Sequence, residues 1–215
     1  MTPSATFDTL ITTPKENMRK AIRHALTEKS PSKFPNIDLH ADLWEKPENL
    51  TAEFCINFRN AGGKLILCER NNIIEFLYKL IAGQRYVTIL NTSQLISPLL
   101  TKSNLNFITC TDPHQQVDVA TIYSDILIAR TGSMLFSQKH SLYPSIKNIS
   151  KNIIVVAFEK NLVLDFKDAF ALQQEKNNGV LPDFVEVITP TKPVNEKGEE
   201  DFSPLQPRFI LLLIK

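Results

Sequence analysis

The chain has 215 residues, 43% of them hydrophobic and 22% charged, which is the composition of a soluble globular protein with one sizeable core. Its 24 lysine and arginine residues are balanced by 23 aspartate and glutamate residues, so the attraction that drives broad binding to nucleic acid or to a membrane surface is missing. The first residues lack the apolar stretch of a signal peptide, and the longest apolar run, residues 209–214, is too short to span a bilayer. We therefore expect a cytoplasmic protein that binds neither nucleic acid nor membrane.

Residues 1–36 are predicted to form an N-terminal arm. Pro14 fits the first turn of a helix that runs to about Lys29 and places Met18 and Ile22 on one face. Two prolines between residues 30 and 36 then indicate a linker. Residues 37–215 are predicted to form a single α/β domain.

Short apolar segments alternate with amphipathic stretches of roughly ten residues from residue 47 onward. This alternation predicts right-handed crossovers, and hence a mainly parallel sheet with helices on both faces. Residues 209–214 are apolar at every position, which predicts a strand buried on both faces inside the sheet. The predicted helices cover residues 50–58, 73–81, 92–100 and 166–173, and the predicted strands cover residues 64–68, 86–90, 105–110, 117–122, 131–137, 153–158, 184–188 and 209–214.

The sequence lacks the motifs that hold common cofactors. It has no G-x-G-x-x-G segment, no phosphate-binding loop with a lysine, no H-E-x-x-H and no C-x-x-C pair. Cys55, Cys68 and Cys110 are widely spaced in apolar segments, which is typical of buried free thiols in a reducing compartment. The histidines are isolated and lack the spacing of metal ligands: His24, His40, His114 and His140. We therefore expect no cofactor and no metal.

A polar tetrad, Arg130-Thr131-Gly132-Ser133, stands between two apolar runs near the middle of the chain. Gly132 permits a tight bend, and successive backbone N–H groups at such a corner can cradle an anion. The Arg130 guanidinium could clamp a carboxylate or phosphate through two hydrogen bonds, or could form an ion pair with a neighbour such as Asp125. The hydroxyl groups of Thr131 and Ser133 could join the same site or could bond only their own backbone.

Residues 122–137, with the segments 141–145 and 152–157 that follow them, resemble the lactate-utilisation (LUD-domain) family, C-subunit type. In that family an Ala-Arg/Glu-Thr-Gly-Ser/Thr segment precedes a strand, a Tyr/Leu-Pro turn and a second apolar strand. The resemblance implies a three-layer α/β/α fold with a mainly parallel sheet, as in sugar-phosphate isomerases, CoA transferases and formyl-tetrahydrofolate cyclo-ligase. It also implies that Tyr143 faces the same cleft as the tetrad, although a tyrosine packed on a loop is the simpler interpretation.

Oxidation of lactate to pyruvate removes two electrons, which ordinary side chains cannot accept. In the family, cysteine-rich partner proteins carry iron–sulphur clusters, and this chain resembles the subunit that lacks them. The resemblance therefore implies a cluster-free subunit that binds a small anionic ligand and acts with iron–sulphur oxidoreductase partners. Two alternatives stay open. The first is a cofactor-independent transferase, ligase or binding module for CoA, folate or a sugar phosphate, and the second is a structural subunit. Whether the chain is itself an enzyme is left open.

Two further features bear on these alternatives. CoA transferases of this fold use a glutamate nucleophile, and Glu159 lies just after a predicted strand, where ligands of open α/β sheets bind. A solvated turn is nevertheless the simpler interpretation of Glu159. The loop of residues 189–208 departs from the family, with Thr189 in place of the glycine before Pro190 and no recognisable acidic stretch. If this loop completes the family's site, the departure indicates a different ligand or none.

Overall fold

The computed structural model describes residues 14–27, 46–109, 117–137, 148–192 and 207–215. The chain divides into two compact units between Glu45 and Lys46. In the first unit the described residues form one helix, α1 (Pro14–Thr27), as the sequence predicts, and its Met18 and Ile22 side chains are exposed. The predicted domain boundary after residue 36 lies outside the described residues.

The second unit, residues 46–215, contains the remaining helices and all the described strands. Its helices are α2 (Leu50–Asn60), α3 (Ile73–Gly83), α4 (Ser97–Lys102) and α5 (Phe166–Lys176). Its strands are β1 (Lys64–Cys68), β2 (Ile89–Asn91), β3 (Val119–Tyr123), β4 (Ile126–Ile128), β5 (Ser133–Ser137), β6 (Asn152–Phe158), β7 (Leu162–Val163), β8 (Val185–Ile188) and β9 (Arg208–Ile214). Short 3-10 turns, Arg70–Asn72 and Glu159–Asn161, follow β1 and β6. None of the helices in the described ranges is long and apolar enough to cross a membrane.

A five-stranded central sheet has the order β1-β9-β6-β3-β2, and every neighbouring pair in it is parallel. Helices α3 and α4 cover one face, where Leu77 and Leu100 belong to the same buried cluster as Leu212 of β9. Helix α2 covers the other face with Phe54 and Phe58, whose rings stack at 5.4 Å. The predicted α/β fold, with a mainly parallel sheet between helical layers, is confirmed.

Strand β9 lies inside this sheet, between β1 and β6. It pairs with β6 along its whole length, Arg208–Ile214, and with β1 over its last five residues. Leu211 and Leu213 face α2, whereas Leu212 and Ile214 face α3 and α4. The prediction of a strand buried on both faces is therefore confirmed, because each side chain meets a covered face of the sheet.

A second sheet, which the sequence pattern does not separate from the first, has the order β7-β4-β5-β8. Strands β4 and β5 form an antiparallel hairpin, β8 pairs antiparallel with β5, and β7 pairs parallel with β4. One face contributes Leu127, Met134 and Phe136 to the core below α2, and the other packs against Ala169 of α5. The strand predicted at residues 131–137 is thus present as β5 from Ser133 onward, and it belongs to this mixed sheet.

Two buried polar residues separate the sheets, because they interrupt the apolar run between β3 and β4. The Ser124 hydroxyl donates to the carbonyl oxygens of Ile126 and Leu135, at 3.0 and 3.1 Å. The Asp125 carboxylate accepts a hydrogen bond from the Ser137 N–H at 2.8 Å. Both side chains satisfy backbone groups at the start of the hairpin, so the chain leaves the parallel sheet here at little cost in unpaired polar groups.

Two predicted strands near the β2 edge differ from the structure. Strand β2 begins at Ile89 and not at residue 86, because the N–H groups of Val87 and Thr88 donate to the Asp118 carboxylate. These hydrogen bonds favour the ionised carboxylate and lower the pKa of Asp118. The predicted strand at residues 105–110 is wrong over its described part, where Ile108 forms only an isolated bridge with Leu90.

Candidate functional site at the hairpin turn

The polar tetrad forms the turn of the β4–β5 hairpin, where Ile128 pairs with Ser133 across the turn. Gly132 has a φ of +62°, a backbone conformation that glycine adopts without strain. The Ala129 and Arg130 N–H groups donate to the carbonyl oxygens of residues 163 and 164, and the Gly132 N–H donates to the Ala129 carbonyl. Because these three N–H groups donate within the protein, a ligand at the turn would be held mainly by side chains.

Helix α2 holds the turn in place. The Asn57 side-chain amide donates to the carbonyl oxygens of Ala129 and Arg130, at 2.9 and 3.1 Å. The backbone of Gly132 lies so close to α2 that a Cβ atom at this position would be 2.4 Å from the Phe58 nitrogen. The turn is therefore packed against a helix, and its backbone has little freedom to reorganise around a ligand.

Three hydroxyl groups form a chain beside the turn. The Oγ1 atom of Thr131 lies 2.6 Å from Ser133 Oγ, which lies 2.7 Å from Thr189 Oγ1. Ser133 is buried, whereas Thr131 and Thr189 are exposed, so both ends of the chain reach the surface. Thr189 stood out in the sequence only as a departure from the family pattern. The structure places the Thr189 hydroxyl in direct contact with Ser133, and Ser133 links it to Thr131. Ser133 and Thr131 are both predicted ligand-binding residues.

The guanidinium of Arg130 faces the start of α5. Its Nη1 atom lies 3.8 Å from an oxygen of Asp165, and both side chains are about one-third exposed or less. The predicted alternative of an ion pair between Arg130 and Asp125 is wrong, because Asp125 is buried and its carboxylate accepts a hydrogen bond from Ser137. Asp165 also caps α5 by accepting a hydrogen bond from the Asp168 N–H. A distance of 3.8 Å exceeds the roughly 2.7–2.9 Å of a charge-assisted hydrogen bond, so this ion pair is loose.

A cavity of about 380 Å³ is lined in part by Val163 and Leu164, whose carbonyl oxygens accept hydrogen bonds from the turn. Its walls are mainly apolar, with Lys46 and Asp168 as the charged residues among its lining side chains, which are Lys46, Pro47, Leu50, Val163, Leu164 and Asp168. The Arg130 N–H donates to the carbonyl of Leu164, and Arg130 pairs with Asp165, the next residue along. The turn is therefore bonded through its backbone to a segment that borders a concave space of the size that holds small ligands.

The remaining candidates divide between described and undescribed parts of the chain. Tyr143 and Cys110 lie outside the described residues, as do His40, His114 and His140. Glu159 is half-buried and its carboxylate accepts a hydrogen bond from the Thr51 hydroxyl at 2.6 Å. The turn predicted at Glu159 is present as the 3-10 turn Glu159–Asn161, and Thr51 of α2 contacts its partly exposed carboxylate. In the described ranges no three His, Cys, Asp or Glu side chains are grouped so that they could hold a metal ion.

Burial raises the pKa of the thiols of Cys55 and Cys68. Because the reactive form is the thiolate, each thiol should react with iodoacetamide more slowly than free cysteine at neutral pH. Cys68, which is only 2% exposed, should react more slowly than the half-buried Cys55. Peptide mapping by mass spectrometry would measure both rates, and labelling of Cys68 at the rate of free cysteine would contradict the burial seen here.

A second polar cluster, which the sequence did not predict, lies at the carboxyl ends of β1, β3 and β6. Arg70, Tyr123 and Lys160 contact the ring of Phe158. The side-chain amide of Asn161 links Tyr123 to Lys176. The signal in the sequence was the position of several of these residues immediately after predicted strands. Their proximity depends on the strand order, which the alternation of elements does not specify.

Comparison with known proteins supports the fold assignment. No family model matches the chain, and no curated protein matches its sequence. A DUF162 family protein from Deinococcus radiodurans has a similar structure, with a TM-score of 0.59 at 10% sequence identity over 77% of this chain and 95% of that one. A ribose 5-phosphate isomerase from Plasmodium falciparum matches with a TM-score of 0.30 at 11% identity over 54% of each chain, a similarity too low to bear on the fold. At the level of fold, the chain is similar to this DUF162 family protein.

Proposed function

We propose that this chain is a LUD-family subunit of the cluster-free type, which binds a small carboxylate at the hairpin turn and acts with iron–sulphur partner proteins in oxidation of lactate to pyruvate. The fold similarity to a DUF162 protein and the Ala-Arg-Thr-Gly-Ser sequence at residues 129–133 support the family assignment. The observation that carries the binding proposal is the turn itself. Arg130 and a chain of hydroxyl groups lie at a backbone turn that α2 holds in place. Leu164, whose carbonyl accepts a hydrogen bond from the Arg130 N–H, lines a cavity.

A monocarboxylate such as lactate or pyruvate suits the charge of this turn. One guanidinium can neutralise one carboxylate through two parallel hydrogen bonds. The exposed hydroxyl of Thr131 can donate to a further oxygen, such as the 2-hydroxyl or 2-oxo group of these acids. Asp165 would compete with the ligand for Arg130, but their ion pair is long and partly exposed, so it is a weak competitor.

Arg130→Ala should weaken the binding of lactate or pyruvate by roughly tenfold or more, because hydrogen bonds to charged groups contribute about 1.5–3 kcal/mol each. The fold should survive, since a partly exposed ion pair contributes about 1 kcal/mol or less to stability. Thermal-shift measurements over a range of ligand concentrations would report both quantities, because a bound ligand raises the melting temperature with its concentration. A shift that persists unchanged in Arg130→Ala would place the ligand elsewhere.

Asp165→Asn provides a matched control for the same experiment. Asparagine caps a helix about as well as aspartate does, so α5 should keep its start. The substitution removes the negative charge that competes with the ligand for Arg130, and the affinity for lactate or pyruvate should therefore rise. A screen that also contains sugar phosphates, CoA and folate tests the alternative of a binding module or transferase with no redox role.

The redox part of the proposal has its own test. A side chain cannot accept the two electrons that lactate loses, so the partner proteins must supply the acceptor. The purified chain with lactate should not reduce an artificial electron acceptor, and adding cysteine-rich iron–sulphur proteins from the same gene neighbourhood should produce lactate-dependent reduction. Reduction by the partners at the same rate without this chain would contradict a role for it.

A further inference from the structure

The cavity of about 380 Å³ lies where the start of α2 meets β7 and the start of α5. Leu50 is the first residue of α2, Val163 ends β7, and Asp168 lies in the first turn of α5. The volume is near the lower end of the range, roughly 300–1,000 Å³, that small-molecule sites occupy. The cavity therefore has room for one small molecule.

The apolar walls of the cavity are held by regular structure. Leu50 packs against the main core cluster below α2. Val163 pairs with Ile128 in the second sheet and packs against the cluster below α5. The Leu164 carbonyl accepts a hydrogen bond from the Arg130 N–H at 3.1 Å. The apolar part of the cavity is therefore formed before any ligand arrives.

The lining carries one charge of each sign, the ammonium group of Lys46 and the carboxylate of Asp168. Both residues are exposed, so a ligand in solution can reach them. Within the residues that the structure describes, the Asp168 carboxylate forms no ion pair, and it is the Asp168 backbone N–H that is bonded to Asp165. The carboxylate is thus available to a positively charged group of a ligand.

The described charges next to the lining also balance. Glu48 and Lys167, the neighbouring charged residues in the chain, carry opposite signs. The Asp165 carboxylate lies 3.8 Å from the Arg130 guanidinium, so that pair contributes no net charge. An ion of either sign therefore gains little from its surroundings here, whereas a molecule that carries one charge of each sign meets a partner for both.

We propose that this cavity binds a free α-amino acid with an apolar side chain, such as leucine. Asp168 accepts hydrogen bonds from the α-ammonium group of the ligand, and Lys46 donates to its α-carboxylate. The hydrocarbon side chain of the ligand packs against Leu50, Val163 and Leu164. This ligand pairs with both charges and with the apolar walls, and it belongs to a different class from the monocarboxylate proposed for the hairpin turn.

Isothermal titration of the full chain with L-leucine tests this site, at about 0.1 M salt, where attraction between distant exposed charges is screened. We expect saturable binding that is weaker by roughly tenfold or more for isocaproate, which lacks the amine, and for isoamylamine, which lacks the carboxylate. Affinity should also fall from leucine to α-aminobutyrate to alanine, by roughly fourfold for each carbon removed, because each buried methylene group contributes to binding.

Substitutions of the two charged lining residues assign the ends of the ligand. Asp168→Asn and Lys46→Gln should each weaken leucine binding by roughly tenfold or more. Asp168→Asn should also abolish the preference for leucine over isocaproate, whereas Lys46→Gln should abolish the preference for leucine over isoamylamine. Glu175→Gln and Lys102→Gln are matched controls at exposed residues outside the described lining, and they should leave the affinity unchanged.

Lactate should not displace leucine, so failure of the lactate proposal and failure of this one give different results. Absence of saturable leucine binding would overturn the proposal. So would displacement of leucine by lactate, equal affinity for leucine and isocaproate, or binding that survives unchanged in a folded Asp168→Asn/Lys46→Gln double variant.

Discussion

Gly132→Ala should destabilise the second unit by about 3 kcal/mol or more, which corresponds to a fall in melting temperature of roughly 6–12 °C for a chain of this size. Two effects combine at this position. Its φ of +62° is strained for any residue with a Cβ atom. The added Cβ would also lie 2.4 Å from the Phe58 nitrogen and 2.7 Å from its Cα, both backbone atoms of a helix that cannot move aside locally.

Two other glycines separate these effects. Gly179 has a φ of +86° with open space where a Cβ would go, so Gly179→Ala should cost only the conformational strain, about 1 kcal/mol. Gly83 ends α3 with neither constraint, so Gly83→Ala should be neutral or slightly stabilising. Thermal unfolding of the three variants measures the series. Equal losses for Gly132→Ala and Gly179→Ala would show that the close approach of the turn to α2 is absent.

Removing residues 208–215 should give insoluble protein, because β9 is the strand that joins β1 to β6. Without it, β1 loses its partner and a row of buried leucines leaves the core on both faces of the sheet. Each such side chain contributes roughly 1.5–3 kcal/mol through burial, and the whole chain is stabilised by only about 5–15 kcal/mol. Soluble expression with a melting temperature near that of the full chain would contradict the central position of β9.

A single substitution tests the same packing in folded protein. Leu212 is fully buried between the sheet and α3, so Leu212→Ala should cost about 2–5 kcal/mol. Leu67 lies on the edge strand β1 and is 45% exposed, so Leu67→Ala should cost clearly less. Denaturant unfolding of both variants compares the same chemical change at the centre and at the edge of the sheet. Equal losses of unfolding free energy in the two variants would contradict the greater burial of Leu212.

The hairpin turn was partly predictable from the sequence. Gly132 between two apolar runs indicated a tight corner, and the structure has a left-handed glycine there. The proximity of Arg130, Thr131 and Ser133 followed from their adjacency. The residues that contact them could not be predicted, because Asn57, Asp165 and Thr189 approach the turn from three distant parts of the chain. The sequence predicted that backbone N–H groups at the turn could hold a ligand, but the carbonyl groups of Val163 and Leu164 accept hydrogen bonds from two of them.

Local sequence determined the type and order of most elements in this protein. The alternation of apolar segments and amphipathic helices is a property of neighbouring residues, and it sufficed for a mainly parallel sheet with β9 buried inside it. The division into two sheets was decided by tertiary structure, because it depends on where Ser124 and Asp125 find their hydrogen-bond partners, up to twelve residues away. The convergence of Arg70 and Lys160 on Phe158 was decided in the same way, since only the strand order places the ends of β1, β3 and β6 at one edge. Both outcomes rest on contacts between residues far apart in sequence, and a local pattern carries no information about which of these contacts has the lower free energy.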